Sequence, residues 1–286
     1  MMAKDTFLNR KLTLNSKGKL IDLSNPLVMA ILNITPDSFY STSRFQHVDD
    51  ALRRTEQVLN DGAKMIDLGA YSSRPDAVDI SSEEELSRLI PVVNAIHSRF
   101  PEAILSVDTF RARVAEEAVA AGAHIINDIS AGQLDAEMFN TVAKLKVPYV
   151  MMHMKGTPQT MQQNPTYENV VSEVLDYFSQ KIAVLKALGV ADIIIDPGFG
   201  FAKTISHNYQ LLQQMESLAL FELPILVGFS RKSMITKVLE NKAADALNGT
   251  SILNTISLLK GASILRVHDI KEALECILLT ERTKNP

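Results

Sequence analysis

Short apolar runs rich in β-branched residues alternate with longer segments of helical period along this chain, and that alternation restricts its fold more than any other property. The runs are "LVMAIL", "MIDL", "AILSV", "HIIN", "YVMM", "DIIID", "PILVG" and "SILRV". Between them lie segments such as "DDALRRTEQVLND", "EEELSRLIPVVNAIHSRF", "FRARVAEEAVAAG", "VVSEVLDYFSQKIAVLKALG" and "IKEALECILLTERT". Apolar residues recurring three and four apart paint one face of a helix, whereas short unbroken runs bounded by turn residues are buried strands. Eight strand-helix units in about 250 residues describe a (β/α)8 TIM barrel. An open doubly wound sheet rarely needs eight consecutive units. Ahead of the first run, "KLTLNSKGKLIDLS" alternates apolar and polar residues around Ser16-Lys17-Gly18, which predicts an N-terminal β-hairpin capping the bottom of the barrel.

At 286 residues and 46% hydrophobic, the chain can bury one large core, and the length suits one α/β barrel or two ordinary domains. No linker rich in Gly, Pro or Ser divides it, so residues 1–286 read as a single barrel domain. The 29 basic and 33 acidic residues give a net charge of −4, without the basic excess that a nucleic-acid partner requires. The opening "MMAKDTFLNRK" lacks the apolar core of a signal peptide, and no apolar run approaches the roughly 18 residues of a membrane span. The expectation is a cytoplasmic protein with no membrane partner. The sole cysteine, Cys276, lies in "ALECILL" and reads as a packed thiol.

In a (β/α)8 barrel, ligands sit at the C-terminal ends of the strands. Those ends are polar here: Asn33, Asp67, Asp108, Asn127 with Asp128, His153, Asp196, and then Arg266 with His268. Any one of them could be a helix cap or a turn residue, because Asp, Asn and Ser are favoured there for backbone reasons. Together they face a common mouth, and carboxylates beside amides suit a flat, nitrogen-rich ligand with donors and acceptors in one plane. After the seventh run, "FSRKSMITKVLE" places Arg231 and Lys232 at a helix start, where cations are unfavourable. Either Ser230 caps that helix beside two solvated cations, or an anionic or acceptor-bearing ligand docks there. In "RVHDIKEA", Asp269 and Glu272 have capping-box spacing. Arg266 and His268 are left to hold a phosphate or diphosphate, as the loops after the last two strands of such barrels commonly do. "DPGFGFAK" contains Gly198 and Gly200 but lacks the third glycine of a dinucleotide fingerprint, which argues against NAD. The methionines of "MMHM" read as core filling, and nothing has zinc-site spacing.

Taken in order, "ILNITPDSF", "YSSRPDA", "SVDTF", "IINDIS", "MMHMKGTPQTMQ", "DPGFGFAK", "VGFSRKSMI" and "RVHD" resemble the successive signature segments of the dihydropteroate synthase family, from Val28 to Asp269. The resemblance implies a (β/α)8 barrel of folate biosynthesis, homodimeric and a target of sulfonamide drugs. Such enzymes join 6-hydroxymethyl-7,8-dihydropterin diphosphate to 4-aminobenzoate, with Mg2+, and release pyrophosphate. It further implies that Asp108, Asn127, Asp196 and Lys232 bind the pterin, with Met152 among the substrate-binding residues and Arg266 along the ring face. Asn33 would be the metal and diphosphate ligand, helped by His268. Thr35, Asp37, Ser38 and Phe39 would belong to a first loop that closes over the substrates. Ser73, Arg74 and Pro75 of a second loop would help form the aminobenzoate pocket, lined from the other side by Phe201, Lys232 and Ser233. Arg74 would contact the diphosphate or Asp37. The implied catalytic set is Asn33, Thr35, Asp37, Arg74, Lys232, Arg266 and His268.

The chain departs from the family pattern in both loops. After Phe39 it reads "YSTSRF" where the family has Ser, Asp and two glycines, and it has Ser73, Asp76 and Tyr71 where Thr, Gly and often Glu stand. Two other readings share the pterin pocket. A pterin-binding methyltransferase would keep Asp108, Asn127 and Asp196 but would not need "TPDSF", "SSRP" or "SRKS". A non-catalytic pterin-binding paralogue is motivated by the altered loops. A phosphate-binding aldolase would need a Schiff-base lysine inside a strand, and no run contains one.

Overall fold

A computed structural model describes residues 11–34, 44–71, 79–163 and 165–284. The expected hairpin is there. Strands β1 (Thr13–Ser16) and β2 (Lys19–Asp22) pair antiparallel across Lys17 and Gly18, whose φ angles are 51° and 86°. Positive φ at both turn positions matches the twist of a two-residue hairpin, and Gly18 takes the more extreme value because it has no Cβ.

Eight parallel strands follow: β3 (Leu27–Asn33), β4 (Met65–Gly69), β5 (Ile104–Asp108), β6 (Ile125–Asp128), β7 (Tyr149–Met152), β8 (Ile193–Asp196), β9 (Leu226–Val227) and β10 (Ile264–Val267). They run side by side in the order β8-β7-β6-β5-β4-β3-β10-β9, and a bridge between Ile195 and Ile225 joins the two edges. The seventh run supplies only two strand residues, fewer than "PILVG" suggests. Pro224 has no N–H for a ladder; its carbonyl instead accepts from Ile195 N at 3.0 Å. The helices are α1 (Arg44–Asn60), α2 (Ser82–Arg99), α3 (Ala112–Ala120), α4 (Met138–Leu145), α5 (Val170–Ala187), α6 (Ile205–Gln213), α7 (Ser233–Thr236), α8 (Leu247–Leu259) and α9 (Ile270–Lys284).

Successive side chains of a strand point to opposite faces, so each barrel strand turns every second residue inward. The outward set, including Val28, Ala30, Ile66, Leu68, Leu105, Val107, Ile193 and Ile195, packs with the helices in the main core. The first inward residues, Met29, Met65, Ile104, Ile125, Val150, Ile194, Leu226 and Ile264, form a separate buried cluster. Leu14, Ile21 and Leu23 of the hairpin region join that cluster, which closes the N-terminal mouth of the barrel. Burying each such side chain contributes about 1.5–3 kcal/mol, enough to hold the hairpin in place as a plug. Two residues further along the same inward phase come Asp67, Ser106, Asn127, Met152, Asp196, Gly228 and Arg266, and two beyond those Asn33, Gly69 and Asp108. The interior thus turns from apolar to polar within one pleat, and the change of chemistry marks the functional end.

Cys276 is buried, with Sγ 3.4 Å from Ser251 O, as a packed thiol should be. Among the described residues no helix is long and apolar enough to cross a membrane.

Candidate active site

Arg266 organises the polar layer. From β10 its Nε donates to Asp67 Oδ2 on β4 at 2.6 Å, and a terminal nitrogen donates to Asp108 Oδ2 on β5 at 2.9 Å. Asn127 on β6 donates through Nδ2 to the same Asp67 oxygen at 2.9 Å. Four strands are thereby tied across the barrel mouth. Burial pushes the Asp108 carboxyl up to about 7, with Arg266 opposing and Asp67 reinforcing the shift. Burial alone would lower Arg266, but the two carboxylates outweigh it and hold the guanidinium above its ordinary value. Asp67 Oδ1 and Ser106 Oγ are buried without a partner among the described residues, the condition of a floor that a polar ligand or ordered water completes. Space for a ligand comes from missing side chains. A Cβ on Gly69 would lie 3.6 Å from Asp108 Cβ and 3.7 Å from Asn33 Oδ1, and one on Gly228 3.8 Å from Arg266 Cβ.

Asp196 ends β8, and its Oδ1 accepts from Gly198 N at 2.8 Å. Burial raises its pKa, opposed first by Lys232. Lys232 donates to Phe199 O and lies 4.7 Å from the centre of the Phe201 ring. Burial lowers this ammonium to about 8, with Asp196 opposing the shift and Arg266 adding to it. A Cβ on Gly200 would come within 3.0 Å of the Lys232 stem, so glycine there leaves the side chain its path. Ile129, Met152, Met154, Met161 and Ala202, with Phe110, Leu134 and Phe201 against them, make an apolar wall beside these charges. A wall of this kind facing a rim of carboxylates, an amide and two cations suits a flat heteroaromatic ring.

The structure brings Asp108, Asn127, Asp196, Lys232 and Arg266 together, with Met152 and Phe201 in the adjoining wall. Asn33 is exposed at the end of β3. His268 follows β10, half-buried, and burial followed by Arg266 and Arg231 drives its imidazole down to about 4, so it is neutral near pH 7. Ser233 is the exposed first residue of α7. Thr35, Asp37, Ser38, Phe39, Ser73, Arg74, Pro75 and Asp76 lie outside the described residues.

Three expectations from the sequence are corrected. Helix α7 has four residues and Lys232, not Ser230, occupies its N-cap position, while Ser230 Oγ accepts from His268 N at 3.3 Å. Arg231 is not an unbalanced cation: it turns back on Asp269, with distances of 2.6 Å and 3.4 Å to the two carboxylate oxygens. The Asp269 carboxylate serves that ion pair rather than a capping box. Polar strand ends also divide between site and scaffold. Asp128 accepts from Ser130 N, Ser130 Oγ, Gly132 N and Tyr149 Oη, the backbone turn role open to any Asp at a strand end.

Two residues without a role in the sequence reading stand out. Asp67 was noted as a strand end, yet it is the fully buried anchor of both Arg266 and Asn127. Lys203, in "DPGFGFAK", is buried beside Asp196; a lysine closing an apolar, glycine-rich loop was its signal. At Tyr71, where the family often has Glu, the ring stacks edge-on with Phe110 at 5.1 Å and lies under Arg111, and Gln159 donates to its hydroxyl at 3.0 Å.

The pterin-binding enzyme family profile matches residues 29–268. Dihydropteroate synthase of Escherichia coli strain K12 is 44% identical over 274 residues, covering 94% of this chain and 95% of its own. The Haemophilus influenzae dihydropteroate synthase is 42% identical over 274 residues, covering 95% and 99%. Among solved structures, Yersinia pestis dihydropteroate synthase in complex with a sulfonamide drug superposes with a TM-score of 0.90 at 42% identity, covering 96% of this chain and 100% of its own. Xanthomonas albilineans dihydropteroate synthase with 4-aminobenzoic acid gives a TM-score of 0.89 at 34% identity, covering 96% and 99%.

Proposed function

We propose a division of labour at the barrel mouth from one premise: the chain belongs to the pterin-binding enzyme family and, within it, to the dihydropteroate synthases. It condenses 6-hydroxymethyl-7,8-dihydropterin diphosphate with 4-aminobenzoate to give 7,8-dihydropteroate and pyrophosphate. The observation that carries this reading at the level of residues is the convergence of Asp67, Asp108, Asn127, Asp196, Lys232 and Arg266, from far-apart parts of the chain, on one polar layer. Asp196 accepts two N–H groups from the guanidine-like edge of the pterin, a bidentate match of charge and shape. Asn127 and Lys232 meet its remaining acceptors and donors, and Met152 packs on the ring. Phe201, Ser233 and the Lys232 stem line the aminobenzoate side, with Ser73 and Arg74 opposite. Asn33, His268, Thr35, Asp37 and Arg74 gather around the diphosphate.

Breaking the carbon–oxygen bond leaves a cation conjugated with the pterin and sends the bonding electrons to pyrophosphate. Charge placement therefore governs the rate more than proton transfer does, and no enzyme nucleophile is required. Asp108 and Asp196 favour the cation; Arg266 and the His268 N–H favour the departing anion. A diphosphate beside His268 raises its pKa from the low value of the ligand-free site, so the imidazole gains a proton as the leaving group develops charge. The aromatic amine then attacks from the Phe201 side, forming the carbon–nitrogen bond, and the secondary amine sheds its extra proton to solvent. Asn33 would hold Mg2+. Its amide oxygen and Asp108 Oδ2 lie 3.7 Å and 3.9 Å from the point a Gly69 Cβ would occupy. Asn33 and Asp108 offer hard oxygen donors of the kind Mg2+ takes, and diphosphate and water would supply its other ligands. Bound there, Mg2+ would supply positive charge to the leaving group.

An exposed apolar surface supports the homodimer that the family resemblance implies. Leu247, Ile252 and Leu259 of α8 and Leu278 and Leu279 of α9 are exposed on two helices that pack together. That apolar surface is the natural cover for its own twin.

Incubating the protein with both substrates and Mg2+ yields pyrophosphate and dihydropteroate in equal amounts. Pterin binding without any pyrophosphate release would instead identify a non-catalytic paralogue. The rate also carries a pH signature. Asp108, raised to about 7, is neutral at lower pH and supplies its negative charge only above that value, so kcat/KM climbs through neutrality. Asp108→Asn lowers the rate and removes that acid limb; a limb that survives in the variant assigns it to another group.

A further inference from the structure

The loop after β8, Pro197 to Ala202, is wound around a buried cation that the reaction as described does not use. Gly198, Gly200 and Ala202 all have positive φ, at 69°, 83° and 48°. These left-handed turns bend the backbone so that carbonyls point inward. Lys203, 4% exposed, sits at the focus. Its Nζ lies 3.0 Å from Gly198 O, 3.1 Å from Phe201 O, 3.4 Å from His153 O and 2.9 Å from His153 Nδ1. An ammonium has three donors and no lone pair, and four neutral acceptors surround it. The three carbonyl oxygens can only accept, which suits the charged form, and Asp196 favours it as well. With Lys203 charged, His153 Nδ1 accepts and Nε2 carries the proton, and the ring packs edge-on against Tyr177 at 4.8 Å.

The outward side of the same loop is the substrate site. Gly198 N donates to Asp196, Phe199 O accepts from Lys232, and Phe201 presents its ring 4.7 Å from that ammonium. The other carbonyls are taken as well, Gly200 O by Gln162 at 2.7 Å and Ala202 O by Tyr167 at 2.8 Å. A Cβ on Gly198 would lie 2.1 Å from His153 O, so the loop rests directly on the end of β7. We infer that Lys203 is a positioning residue for both substrates: its ammonium, clamped by His153 and the loop carbonyls, sets the arc that aims Asp196 and Lys232 at the pterin and Phe201 at the aminobenzoate. The inference rests on the assignment of those three residues given above. Burial lowers the Lys203 ammonium to about 7, while Asp196 opposes the shift, so the clamp and the pterin carboxylate support one another electrostatically.

The test compares Lys203→Met, Lys203→Arg and Asp196→Asn by calorimetry with 6-hydroxymethyl-7,8-dihydropterin diphosphate and by steady-state kinetics. Lys203→Met raises Kd for the pterin and KM for 4-aminobenzoate by about tenfold or more each, while kcat at saturation changes by less than about threefold. Lys203→Arg, which keeps a cation with donors to spare, recovers part of both losses. A folded Lys203→Met protein with a lowered melting temperature but parental Kd and KM makes the lysine purely structural and overturns the inference. Should that variant not fold, His153→Leu keeps Lys203 and the loop carbonyls but removes the imidazole acceptor without supplying another: a rise in pterin Kd of about threefold or more supports the clamp, and parental Kd overturns it. If Asp196→Asn itself retains parental pterin affinity, the assignment of the pocket fails first; loss there with no loss at Lys203 rejects the clamp alone.

Discussion

An Asp196→Asn protein folds like its parent and binds the pterin between about a hundredfold and ten-thousandfold more weakly. The carboxylate has only acceptors to offer, and the guanidine-like edge of a pterin has only donors. Replacing one carboxylate oxygen by an NH2 group turns an acceptor toward that edge into a donor, so a charge-assisted bond is lost and two buried N–H groups oppose each other. The fold survives because the remaining amide oxygen can still accept from Gly198 N, the partner of Asp196 Oδ1 at 2.8 Å. A neutral amide also escapes the burial penalty that raises the Asp196 pKa, so thermal stability holds or improves slightly. Lys232 reports the change independently. Asp196 is the carboxylate that opposes the burial-driven fall of the Lys232 pKa, so its removal lets the ammonium lose its proton below its present value of about 8. The alkaline limb of the rate profile then moves to lower pH. Calorimetry with a pterin ligand measures the first effect; unchanged affinity would take Asp196 out of the pocket.

The architecture was legible because two periods are written into the chain. Period two in runs such as "MIDL" and "SILRV" puts Met65 and Ile264 on one inward layer and Asp67 and Arg266 on the next, and the polar strand ends mark the mouth from the sequence alone. Pairing across that mouth was not legible. Arg266 and Asp67 are 199 positions apart, and nothing local says that one guanidinium will bridge two carboxylates rather than lie free beside a ligand. The same holds for Arg231 and Asp269, whose ion pair balances a cation that the local sequence leaves without an anion. The Lys203 clamp was hidden for a different reason: it depends on where carbonyls point, and one of its left-handed residues is Ala202, which gives no glycine signal. Short-range preference identifies caps and turns. It cannot tell that Asp128 is spent on a turn while its neighbour Asn127 reaches the site, because that depends on which face of β6 each occupies.

Arg266→Met exposes how much the scaffold depends on the same group that meets the substrate. Asp67 is fully buried and Asp108 half-buried, and the guanidinium is the cation that holds both, at 2.6 Å and 2.9 Å. Removing one partner of a buried ion pair costs about 3–5 kcal/mol, because the remaining charge keeps its desolvation penalty without its compensation. Activity collapses along with stability, since the departing diphosphate loses a cation proposed above to favour its release. The pH dependence separates this explanation from a simple loss of packing. Asp108 already has a folded-state pKa above its ordinary value, so the folded protein holds more protons than the unfolded chain between the two, and stability falls as pH rises through that window. Without Arg266, the term that pulls this pKa down disappears and the folded value climbs further. The deficit of Arg266→Met relative to the parent is therefore greatest above neutrality and shrinks as pH falls toward the ordinary carboxylate range. Adding Asp67→Asn to Arg266→Met removes one stranded charge and restores part of the lost stability while activity stays low. Denaturation midpoints of the four proteins at pH 8 and at about pH 5.5 measure the cycle. An Arg266→Met protein as stable as its parent at pH 8, or a deficit that does not change with pH, would mean that the two carboxylates are balanced by something other than this arginine.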